Sequence, residues 1–154
     1  MNRLWVKGEI IINPLLEKLI TDYPELASCR LAIEKASQMI INTYASGGKL
    51  LVCGNGGSAA DSEHIVGELM KGFHKKRPVA SSFRAKMTKM FAAEGERLVS
   101  KLQGALPAIS LVNHFALSTA LSNDLAPEMV FAQQVFGYGA PGDVLLGIST
   151  SGTA

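Results

Sequence analysis

Apolar residues recur at three- and four-residue spacing through Leu15, Leu16, Leu19 and Ile20, and again through Leu31, Ile33, Ala36, Met39, Ile40 and Tyr44. That periodicity puts them on one face of each of two predicted helices. Pro24 interrupts the pattern between the helices, and Gly47 and Gly48 end the second, because residues without a side chain let the backbone turn sharply. The helical period then gives way to Leu50, Leu51, Val52 and Cys53, a short unbroken apolar run between glycines that predicts a strand buried on both faces. A helix is predicted from about Ser58 to Phe73. A second apolar run spans Ala105 to Val112, a helix is expected from His114 into Ala120, and a third apolar run covers Asp143 to Ile148.

Strands alternating with helices predict an α/β fold, a three-layer α/β/α sandwich around a parallel sheet. Residues 1–48 are expected to form a helical region serving packing or oligomerisation, and residues 49–154 the front part of a ligand-binding domain. The third run ends close to Ala154, where a doubly wound domain continues with further strands, so the expectation is a sandwich truncated after its third core strand. Between Ser81 and Gln103, Met87, Met90, Phe91, Leu98 and Leu102 have helical spacing, with Lys86, Lys89, Arg97 and Lys101 left for solvent. This predicts a helical surface insertion whose centre Gly95 weakens. Its Met-rich face serves either ordinary packing or a lid.

Composition narrows the functional classes. The 154 residues are enough for one domain with a sizeable core, and a formal charge of +2 is too small to imply a nucleic-acid partner. The densest basic cluster, Lys71, His74, Lys75, Lys76 and Arg77, falls at a predicted helix end, where cations offset the helix dipole; attraction of an anionic substrate is the competing reading. Cys29 and Cys53 have neither disulfide-framework nor metal-site spacing. Lys7, Glu9 and Glu17 break up the amino-terminal apolar residues, and no apolar run is long enough to span a membrane, so a soluble, cytoplasmic protein is expected.

Two loops carry the candidate chemistry. In Cys53-Gly54-Asn55-Gly56-Gly57-Ser58, between strand and helix, glycines can expose successive N–H groups at a helix start, where the dipole favours an anion. Ser58 either caps the helix or offers its hydroxyl to a phosphate, and Asp61 stands where a capping box has its acidic member. The loop has neither the Lys-Ser/Thr ending of a P-loop nor a GxGxxG pattern, which argues against a nucleotide. The second loop, Ser149-Thr150-Ser151-Gly152-Thr153, follows another buried strand. It either surrounds the same phosphate or is a plain turn with its hydroxyls bonded to the local backbone.

His64 and Glu68, four residues apart, share a helix face. Glu68 can act as a general base, and His64 can assist proton transfer or join Glu68 at a metal; a plain surface pair is the alternative. Two donors do not complete a zinc site. Glu63 is rotated towards solvent, His74 belongs with the basic cluster, and His114 is expected to pack or cap.

CGNGGSAADSEHIVGELMKGF at Cys53 to Phe73, SND at Ser122 to Asp124 and GDVLLGISTSG at Gly142 to Gly152 closely resemble the sugar isomerase (SIS) domain family, especially its phosphoheptose isomerases. The resemblance covers most of Leu31 to Thr153 outside the insertion. It implies a five-stranded parallel sheet, a homotetramer and aldose-ketose isomerisation of sedoheptulose 7-phosphate to D-glycero-D-manno-heptose 7-phosphate, a precursor of bacterial surface polysaccharide. It implies phosphate contacts from the glycine loop, Gly56 and Gly57 included, and from Ser58, Ser149, Thr150 and Ser151. Asn55 and Asp124 would contact the substrate, Glu68 would be the base, and His64 with Glu68 would form half of a zinc site. A second catalytic histidine of the family falls on a later helix than this sequence contains. Isomerisation of another sugar phosphate, or a noncatalytic phosphosugar-binding regulatory or assembly role, are the competing expectations.

Overall fold

The computed structural model describes residues 12–153, so the amino-terminal stretch judged from Lys7 and Glu9 lies outside the described residues. Helix α1 (Ile12–Asp22), a 3-10 turn at Pro24–Cys29 and helix α2 (Arg30–Ala45) lead into strand β1 (Leu50–Gly54) and helix α3 (Gly57–Met70). Helix α4 (Ser81–Lys101), strand β2 (Ala108–Ser110), helix α5 (Phe115–Asp124), a second 3-10 turn at Pro127–Met129, helix α6 (Val130–Tyr138) and strand β3 (Val144–Ile148) follow.

The three strands are parallel in the order β2-β1-β3, with Leu50 opposite both Ala108 and Val144. Leu50, Leu51 and Val52 are almost wholly buried, as an apolar run covered on both faces requires. On one face Leu50, Val52, Ala108, Val144 and Leu146 pack against Ile40 and Tyr44 of α2 and Ile65, Val66 and Leu69 of α3. On the other, Leu51 reaches the end of α6, where a methyl group added to Gly139 would lie 3.9 Å from its Cδ1. The small sheet is thus held between helices, the sandwich that the alternating pattern predicts.

Buried polar groups fasten the layers. Ser62 Oγ on α3 bonds the Val52 carbonyl at 3.2 Å and Ser110 Oγ at 2.8 Å. Gln134, 2% exposed, donates from Nε2 to the carbonyls of Leu111 and Val130 and so ties α6 to the end of β2.

Four boundaries and one element differ from the sequence reading. α3 stops at Met70 rather than Phe73. The run Ala105 to Val112 yields only three strand residues, because Pro107 has no N–H for the ladder and contributes only its carbonyl, to the Leu50 amide. The helix expected to end at Ala120 runs on to Asp124, and α6 goes beyond the sequence reading altogether.

The insertion is not one weakened helix but two. Ala92 breaks it at φ 46°, ψ −127°, and the chain turns back on itself. Gly95 then sits at the crossing of the two arms, where a Cβ would lie 2.2 Å from the Met87 carbonyl oxygen. Glycine here permits close packing, rather than weakening a single helix. Arg84 pairs with Glu96 across the turn, and Val99 is buried.

Candidate functional site

The site begins where β1 meets α3. Gly56 takes φ 56°, a conformation strained for residues with a side chain, and lets the chain enter α3 directly from the strand. Gly54 is pressed against the helix: an added Cβ would stand 2.6 Å from the Ser58 carbonyl oxygen. The amides of Ser58 and Ala59 are used at 3.1 Å by the carbonyls of Asn55 and Gly56. The amides of Gly56 and Gly57 have no backbone partner among the described residues, and a Cβ at either would meet open space. Two free N–H groups on an open turn, at the positive end of a helix dipole, make a cradle for an anion. The neighbouring Cys53 thiol is pushed above its ordinary pKa by burial, which disfavours the nucleophilic thiolate.

Two clefts open at the carboxyl ends of the strands. One, of about 850 Å³, lies between Asn55 and Gly56 and a wall formed by Phe115, Ser118, Asn123 and Glu128. The other, of about 600 Å³, is bordered by Asp61 and His64 of α3 and by Leu146 to Ser149 at the end of β3. The structure therefore places His64 and Ser149 on one cleft, and Asn55 and Asn123 on the other. Ser58 is buried behind the turn. Asp124 is exposed outside the first cleft, its carboxylate accepting from Asn123 Nδ2 at 3.0 Å. Phe115, Ser118, Asn123 and Glu128 were not singled out from sequence as wall residues; only the SND motif pointed to their neighbourhood.

The second loop turns its hydroxyls inward. Ser149 Oγ accepts the Gly152 amide at 3.0 Å and Ser151 Oγ accepts the Thr153 amide at 3.2 Å, while Gly152 adopts φ 72°. Thr150 and Ser151 are exposed at the rim.

Glu68 is exposed, and its Oε2 accepts the Phe73 amide at 3.2 Å, bracing the turn after α3. Arg77, read as part of a solvated cluster, is instead committed. Its NH2 group donates to the Leu69 carbonyl at 2.6 Å, closing the end of α3, and its Nε donates to the Gly104 carbonyl at 2.8 Å. The Gly104 amide returns a bond of 2.6 Å to the Arg77 carbonyl. Among the described residues no group of three or more His, Cys, Asp or Glu comes together to hold a metal. His64 and Glu68 offer two donors against the four that structural zinc takes.

A parallel sheet held between helices, with a glycine turn at the carboxyl end of its central strand, defines an α/β domain. The match of residues 26–101 to the SIS domain, with the relatives below, gives that class its family: the chain belongs to the SIS domain family. It is 33% identical over 149 residues to a phosphoheptose isomerase of Thiobacillus denitrificans, covering 92% of this chain and 62% of that protein. It is 40% identical over 116 residues to one from Roseiflexus, covering 75% of this chain and 46% of the relative. A solved phosphoheptose isomerase from Francisella tularensis superposes with a TM-score of 0.61 at 30% identity, over 90% of this chain and 60% of that one. The chain thus spans less than two thirds of the length of each. Among the described residues no helix is long and apolar enough to cross a membrane.

Proposed function

We propose that the protein is an aldose-ketose isomerase of a phosphorylated sugar, with sedoheptulose 7-phosphate and D-glycero-D-manno-heptose 7-phosphate as its pair, acting in the cytoplasm as a homo-oligomer, a tetramer by likeness to the family. The observation that carries the reading is the succession along α3: the glycine turn at its start, His64 on the cleft that Ser149 also lines, and Glu68 one turn further on the same helix. The names of the relatives supply the sugar.

In this reading the amides of Gly56 and Gly57 and the hydroxyls of Ser58, Ser149, Thr150 and Ser151 hold the phosphate, with Ser149 and Ser151 exchanging their local bonds for it. That fixed end turns binding energy into orientation of the reacting carbons. Asn55 contacts the sugar from the cleft, and Asp124, just outside it, reaches the sugar only on releasing Asn123. After ring opening, Glu68 removes the proton from the carbon next to the carbonyl, giving an enediol, and returns it to the neighbouring carbon. Glu68 must first release the Phe73 amide. His64 polarises an oxygen or relays a proton.

Solvent-deuterium exchange into heptose, hexose and pentose phosphates tests the reading, with the full-length protein and Glu68→Gln compared. Exchange into the heptose phosphate, cut at least a hundredfold by the substitution, is expected. Phosphosugar binding without exchange overturns the isomerase in favour of a noncatalytic sensor, and exchange indifferent to the substitution overturns the role of Glu68.

A further inference from the structure

We propose that the arm formed by residues 71–101 docks on the corner between α5 and α6 of a second copy of this chain. The arm is built from the turn after α3 together with α4, and its charges are sorted in an unusual way. Both of its carboxylates are neutralised, Glu94 by Arg97 and Glu96 by Arg84, while Arg77 is spent on backbone carbonyls. Lys71, Lys75, Lys76, Lys86, Lys89 and Lys101 have no ion pair among the described residues, where the only other such lysine is Lys35. Beside these lysines the arm exposes Phe73, Phe83 and Met90 at 73%, 41% and 60%.

The corner has the opposite character. Asp124 and Glu128 have no ion pair among the described residues, and each is followed by an exposed apolar residue, Leu125 at 68% and Met129 at 46%, while Phe115, exposed at 79%, shares a cleft with Glu128. An apolar surface rimmed with lysine thus has a counterpart rimmed with carboxylate, the arrangement by which interfaces select their partners.

Within one molecule the two surfaces lie towards opposite ends of α3. Glu128 shares a cleft with Gly56 at the start of α3, whereas the arm leaves from its end, 14 residues later, a length of about 20 Å. α4 makes no extensive contact with α5 or with the 127–129 turn. Two copies related by a two-fold axis satisfy both surfaces at once, arm on corner and corner on arm. Because Phe115 and Glu128 line the larger cleft, the docked arm brings its lysines to the mouth of the partner's cleft.

Sedimentation velocity of the full chain tests this. Association is expected to weaken about tenfold between low and high salt, as exposed charge pairs are screened. K86E/K89E and D124K/E128K are each expected to weaken it by about tenfold or more, and mixing or combining the two reversals to restore it to within about threefold. Helical circular dichroism and melting temperature establish that each variant folds. For the unaltered chain, zero-length cross-linking of isotopically labelled with unlabelled copies should join Lys86 or Lys89 of one to Asp124 or Glu128 of the other. A chain that stays monomeric, an affinity indifferent to reversal, reversals that do not rescue one another, or cross-links confined to single copies overturn the proposal.

Discussion

Asp143 holds Lys49 twice. Its Oδ1 accepts the Lys49 amide at 2.8 Å and its Oδ2 accepts the Lys49 ammonium, while Oδ2 also accepts the Ala140 amide at 2.8 Å. The carboxylate, whose side chain is 8% exposed, pins the start of β3 to the start of β1 across 94 residues of sequence. The Lys49 ammonium and the amides hold Asp143 below its ordinary carboxyl pKa.

A depressed folded-state pKa contributes stability that is complete above the unfolded value and is lost as pH falls through the folded one. Asp143→Asn is therefore expected to cost about 1–3 kcal/mol at pH 7. The difference from the unaltered protein should shrink below about pH 4, the ordinary carboxylate range. Urea unfolding at a series of pH values measures this; a penalty that stays constant into acid refutes the linkage.

Ala92 turns the insertion at φ 46°, where only glycine is at ease. Ala92→Gly should stabilise the hairpin by about 1 kcal/mol, with slower amide hydrogen exchange over residues 81–101. Gly95→Ala should do the reverse, since its Cβ would strike the Met87 carbonyl. Faster exchange in A92G would show that the turn is not strained.

Ser62 and Ser110 depend on each other, both buried and 2.8 Å apart. Ser62→Ala should cost about 1–2 kcal/mol, because buried Ser110 loses its partner, and Ser110→Ala less, because Ser62 keeps the Val52 carbonyl at 3.2 Å. The double variant should cost little more than Ser62→Ala alone, which denaturation measurements read as coupling between the two sites. Additive losses would mean that the pair contributes nothing as a pair.

The cradle is tested without any sugar. Gly54→Ala drives a methyl group into the Ser58 carbonyl and should move the first turn of α3, weakening binding of inorganic phosphate about tenfold or more in calorimetric titration. Unchanged affinity in a folded variant would place the anion elsewhere.

What could be seen in the sequence was what local periodicity and glycine placement dictate. The run Leu50 to Cys53 and the glycine turn after it sufficed for the buried strand β1 and the helix α3 that follows it. α6 was missed although Val130, Gln134 and Tyr138 fall four residues apart, because its most buried residue is a glutamine, whose place is set by the Leu111 carbonyl rather than by hydropathy. The hairpin reads as a single helix in the sequence because a non-glycine residue makes its turn, leaving Gly95 as the visible irregularity. The commitment of Arg77 likewise depends on Gly104, 27 residues away, and no local pattern announces it.

That pairing of Arg77 with Gly104 makes a neck. The amide of one and the carbonyl of the other are 2.6 Å apart, so the two ends of everything between them already stand where a tight turn could join them. The insertion is thus an exchangeable cassette: it can be shortened, replaced or fused to a foreign segment at a port that the rest of the molecule holds shut, leaving the glycine turn at the far end of α3 undisturbed.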